Sequence, residues 1–183
     1  MGSSRHAGGR LVGFLGNAAA NGVAAALRTL NLGSLVGRPI EQVFAGLADY
    51  VCPDGGSIDE GIARDAFIET IADLAGAGVT DIDGLTADQI QTVFEIYVTH
   101  TIEARICNDI GNRVVTVPSD PAAAARVEAQ LREFIQRGVS DAVAAANADI
   151  GALSQDAVSG FVNGVYETAF EILQTMGDRE ANQ

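Results

Sequence analysis

Three residues in one stretch of the chain have side chains that could do chemistry together. His100 and Glu103 form His-x-x-Glu, one helical turn apart, and Cys107 follows two turns after His100. On a helix the first pair could supply two metal ligands. A structural or catalytic zinc site needs three or four, and a carboxylate-bridged di-iron site needs two such motifs plus two further glutamates. The only other histidine is His6, near the amino terminus, and there is no second motif copy. A Cys107–His100 pair could in principle make a thiolate nucleophile. Such a pair normally has an orienting third group and an oxyanion-stabilising nest beside it, and the sequence offers neither. The stronger reading makes His100 a hydrogen-bonded interior side chain and Cys107 a small buried apolar group. Glu103, Arg105, Asn108 and Asp109 continue the polar set, and are expected to form ion pairs that hold helix register or a polar interaction patch. No catalytic residue, metal site or cofactor is assigned.

The other motifs carry less. Asp81-Ile-Asp83-Gly84 resembles part of a calcium loop, but aligning Gly84 as its glycine puts Val79 and Ile90 at the first and twelfth ligand positions, where neither can bind Ca²⁺. The aspartates suit an Asx turn. The glycines of the first helix follow no strand, so they make no phosphate loop, and close packing explains them better. Cys52 and Cys107 are far apart in sequence and read as reduced thiols of a cytoplasmic protein.

The helix that must position these groups spans 87–110. Thr86 and Gln89 fit a capping box at its start, and Gly111 stands where a left-handed cap is expected. Ile90, Val93, Phe94, Tyr97, Thr101 and Ala104 fall on one face. Ile102, Ile106 and Ile110 fall on nearly the opposite one. A helix apolar on two sides is sandwiched. The remaining punctuation gives a first helix over 10–30, a second from Pro39 to about Tyr50, and a third capped by Ser57 with Glu60 and ending at Gly76. A helix from Pro121 to about Asn147 and a last one from Ser154 to Gly177 follow. Residues 112–118 could be briefly extended. The expected fold is therefore all-α: a single-domain bundle of about six helices around a central buried helix. Residues 1–9 are expected as a flexible arm, 10–177 as the helical domain and 178–183 as a polar tail.

Composition sets limits on function. The chain has 183 residues, a net charge of −13 and 48% hydrophobic residues, and all eleven basic residues are arginine. Direct nucleic-acid binding needs a clustered basic surface, and Schiff-base or P-loop lysine chemistry needs a lysine. The apolar run from Leu11 to Gly16 is too short for a secretory signal, and Asn17 and Asn21 interrupt any membrane span. No membrane association is expected.

Three segments taken together carry a resemblance: GRLVGFLG from Gly9, LNLGSLVGRPIEQVFAGLADYVCPDGGSIDEGIARDAF from Leu30, and HTIEARICNDIG from His100. The chain resembles the B components of the Qat anti-phage defence systems of bacteria, from about Arg10 to the last helix. Members of that family also carry a Gly/Pro/Ser-rich segment ahead of the helical part, so this chain resembles their helical core. The resemblance implies a subunit without enzymatic activity of its own. Its implied partner is a C component resembling 7-cyano-7-deazaguanine synthase (QueC-like), beside an ATPase and a TatD-like nuclease. It further implies Gly2 as the acceptor for conjugation to a deazaguanine base. The alternative is a small helical enzyme built on His100, Glu103 and Cys107.

Overall fold

The computed structural model describes residues 2–53, 55–78, 85–111, 121–146, 160–168 and 171. Several side chains inside the helices, those of Ile106, Cys107, Asp109 and Ile110 among them, fall outside that description. The proposed extended segment, the Asp81–Asp83 turn, the Ser154 cap and the polar tail fall outside it as well. Among the described residues the fold is all-α, with no strand. Six helices carry it: α1 (Gly2–Asn21), α2 (Val23–Thr29), α3 (Ile40–Val51), α4 (Ile58–Gly76), α5 (Ala87–Gly111) and α6 (Pro121–Ala146). A seventh, α7, runs over 160–168.

The helix starts follow local side-chain chemistry. At α4, Ser57 Oγ accepts from the Glu60 amide at 3.2 Å, and the Glu60 carboxylate accepts from the Ser57 amide at 2.9 Å. At α5 the same exchange joins Thr86 and Gln89, at 2.8 and 3.3 Å. Each pairing satisfies backbone donors that the first turn leaves without carbonyl partners.

Two expectations need correction. Residues 2–9 are not an arm but the first turns of α1, with Ser4, Ala7 and Gly8 buried. Ser4, Ala7, Gly8, Leu11, Leu15 and Ala18 form a stripe at helical spacing. Its early members are too small to register as apolar periodicity. The single helix expected over 10–30 is two helices. Gly22 breaks them with φ of +84°, a left-handed conformation that costs glycine nothing and other residues about 1 kcal/mol or more.

The α5 helix packs against α1, α4 and α6. Ile90, Val93, Phe94, Tyr97, Val98, Thr101 and Ile102 are all buried along it, while Ile106 and Ile110 of the second expected face have side chains outside the described residues. Phe94 meets Phe161 of α7 with ring centroids 5.5 Å apart, and Phe44 of α3 stacks on Phe67 of α4 at 5.8 Å. Each such ring contributes about 1.5–3 kcal/mol through burial. The aliphatic core around them comes from Leu11, Leu15, Leu27, Leu47 and Ile135.

Candidate functional site

Polar side chains on α5 reach its neighbours in three clusters. In the first, His100 Nε2 lies 2.8 Å from Asp73 Oδ2 near the end of α4, and its Nδ1 lies 4.0 Å from Glu103 Oε2. Glu103 also accepts from Arg132 of α6, from Nε at 3.0 and 3.2 Å and from Nη2 at 3.1 Å. Imidazole, two carboxylates and a guanidinium thus join three helices. The imidazole is 7% exposed while Arg132 is half-exposed. The cluster runs from the interior to the surface, and its outer pair is solvent-screened and adds little stability. The sequence spacing also offers Arg132 an i,i+4 partner in Glu128, whose side chain lies outside the described residues. Arg137 does pair with Glu133.

The second cluster holds the head of α1. The Ser3 amide donates to Asp59 Oδ2 at 2.8 Å, and Arg105 Nη1 lies 3.9 Å from Asp59 Oδ1. Burial pushes the Asp59 carboxyl up. Hydrogen bonds from the amino terminus and the Ser3 amide, with the charges of the amino terminus and of Arg105, outweigh that effect and hold its pKa below the usual carboxylate value. Gly2 is exposed at the start of this helix, and a Cβ built there would lie 4.0 Å from Asp59 Oδ2.

In the third cluster, the Tyr97 hydroxyl of α5 donates to the Ser4 carbonyl at 3.2 Å. Arg5 reaches Asn163 and Glu167 of α7 at 3.4 Å each and lies 5.7 Å from the centre of the Tyr166 ring. The Tyr166 hydroxyl bonds Thr101. Burial raises the pKa of both tyrosines, so each stays a neutral phenol. The sequence reading missed Arg5, Tyr97 and Tyr166 as polar anchors. The available signal was the spacing of Arg5 beside Ser4 and Gly8 on an incipient helix face.

The structure therefore brings His100 and Glu103 together and places Arg105 in a separate cluster with Gly2. Asn108 is half-buried on the same helix, while the side chains of Cys107 and Asp109 are outside the described residues. Among the described residues, no group of three or more His, Cys, Asp or Glu is placed to hold a metal ion. A cavity of about 230 Å³ beside α1 is lined by Ser3, His6, Arg10, Cys52 and Glu60, among others. The Cys52 thiol there is buried and donates to the Ala63 carbonyl at 3.3 Å. Burial pushes its pKa up to about 12, so it is a poor nucleophile at neutral pH. Neither His100 nor Glu103 lines this cavity or the cavities of about 320 and 340 Å³ that other described residues enclose.

No helix among the described residues is long and apolar enough to cross a membrane. No curated protein and no solved structure matches the chain. The model of one family, described as Qat anti-phage system associated protein QatB, matches residues 1–173. With that match covering nearly all of its length, the chain belongs to the QatB family and is a component of an anti-phage defence system.

Proposed function

We propose that this chain is a non-enzymatic, cytoplasmic helical subunit that docks on the system's C component, an enzyme resembling 7-cyano-7-deazaguanine synthase. The ATPase and the TatD-like nuclease are its further partners, reached through the assembled system. The observation that carries the reading is the family match over residues 1–173. The side-chain chemistry is consistent with it. His100, the most plausible catalytic group, has Nε2 committed to Asp73 and Nδ1 facing Glu103. The buried Cys52 is held as a thiol. The alternative, an enzyme using His100, Glu103 and Cys107, has the proximity of His100 and Glu103 in its favour; the Cys107 side chain lies outside the described residues.

Once the Met1–Gly2 bond is hydrolysed and Met1 is removed, the free amine of Gly2 is the candidate acceptor for conjugation to a deazaguanine base. Gly2 is exposed, but the next amide is bonded to Asp59. Entry of Gly2 into an enzyme's active site then requires the first turn of α1 to release Ser3 from Asp59. Helix ends fray readily, and the rest of α1 keeps its buried stripe.

The test is co-expression with the C component, followed by size-exclusion chromatography at micromolar concentration and intact-mass measurement. Co-elution with a mass increase that maps to Gly2 is expected. Separate elution would remove the docking claim. Co-elution with an unchanged mass and a free Gly2 would remove the modification alone.

A further inference from the structure

The solvent-facing side of α4 is not the polar face that a surface helix normally presents. Ile58, Gly61, Asp65, Ile68 and Ala72 are all exposed on it. At 100° per residue they fall within an arc of about 80°. Ile58 is 68% exposed and Ile68 is 50% exposed. Single exposed apolar residues are ordinary on protein surfaces. Here two isoleucines are joined along one helix by Gly61 and Ala72, and the stripe is about 21 Å long at 1.5 Å per residue.

The stripe begins in a hollow. A cavity of about 340 Å³ is lined by Pro53, Gly55, Gly56, Ile58, Gly61 and Arg64, among others. Small residues at its rim let another chain approach closely, and its volume accepts one bulky side chain. Charge restricts what that chain can be. Asp65 and Glu69 are exposed in or beside the stripe, with half-exposed Asp73 at its flank. The basic side chains beside it are engaged: Arg64 is turned to Asp49 at 2.8 Å and to the Cys52 carbonyl at 3.0 Å, and Arg132, whose charge reaches Asp73 and Glu69, is bonded to Glu103, so Asp65 keeps the stripe acidic. A second copy of this chain, with net charge −13, would set acid against acid, which disfavours self-association on this face.

We infer that the outer face of α4 is a docking surface for an amphipathic helix of the C component, with arginine or lysine flanking an apolar seam. A bulky apolar residue of that helix fills the hollow beside Ile58. The inference rests on the docking proposed above and specifies which surface makes it. Helix-in-groove recognition uses anchors at this kind of spacing, and the flanking charges set the approach rate and the salt dependence.

The test measures the affinity of the purified C component for the intact chain by calorimetry. Gly61→Glu is the principal variant. A Cβ at Gly61 meets nothing within 4 Å, so the substitution projects into solvent and replaces glycine with a better helix former. Ile68→Glu is the second variant, and Ala144→Glu on the exposed side of α6 is the control. Each α4 variant should weaken binding at least about tenfold with an unlowered melting temperature, while the control stays within about twofold. Raising salt from about 0.1 to about 1 M, which shortens the Debye length from about 10 to about 3 Å, should weaken the wild-type complex. Wild-type affinity in both α4 variants would overturn this surface while leaving the docking intact. Binding that strengthens with salt would overturn the basic partner helix. No binding by the wild-type chain would overturn the docking and the surface together.

Discussion

Gly8 offers a test of the largest departure from the sequence reading, the folding of residues 2–9 into the bundle. It is buried in α1, and a Cβ added there would lie 3.4 Å from Tyr97 Cε1, 3.5 Å from Val162 Cγ1 and 3.6 Å from Phe94 Cε2. Those separations are ordinary contact distances for carbon. Gly8→Ala therefore fits without displacement and gains the helix propensity that glycine lacks, about 0.5–1 kcal/mol. Gly8→Leu differs. Its further carbons continue outward by about 1.5 Å per bond into the same three side chains, so they overlap buried atoms. Overpacking of this kind costs about 1–3 kcal/mol. The sign of the stability change should thus reverse between the two variants. For a chain of this size the corresponding shifts are about +1 to +4 °C for alanine and about −2 to −12 °C for leucine. Urea denaturation and thermal melts measure both. If residues 2–9 were an arm, neither change would be felt. Two variants within about 0.3 kcal/mol of wild type, or two shifts of the same sign, would refute the packed first turns.

Two further outcomes follow from the core and from titration. Phe94→Ala should cost about 3–5 kcal/mol in chemical denaturation, because the side chain is fully buried and loses its partner ring Phe161; a loss under about 1 kcal/mol would contradict the central position of α5. Asp59→Asn should cost about 1.5 kcal/mol at pH 7, the lower end for a charged hydrogen bond because the carboxylate is partly solvated. The Asp59 pKa is lowered on folding, so its contribution is present above the unfolded value of about 3.9 and is lost as pH falls through the folded value. The variant's stability should accordingly fall less steeply than the wild type's below about pH 4, and parallel acid limbs in pH-dependent melts would count against the Ser3–Asp59 linkage.

The sequence by itself determined the features that depend on neighbours within about four residues. Ser57 with Glu60, and Thr86 with Gln89, exchange hydrogen bonds over three residues, so the starts of α4 and α5 are legible from residue types. The apolar period of α5 is equally local, and two apolar faces on one helix leave only a sandwiched position. Family membership was legible too, since extended strings of sequence carry it. Tertiary structure decided everything that depends on partners distant in the chain. Glycine and serine at the start of α1 have low helix propensity. Ordering comes from Asp59, Tyr97 and Asn163, which lie 56, 93 and 158 positions away from Ser3, Ser4 and Arg5. His100 shows the same limit: its partner Asp73 is 27 positions earlier on another helix. Glu103 takes Arg132, 29 positions later on α6. Periodicity identifies which face of a helix turns inward. Only the packing of one helix on another determines which charge it meets there.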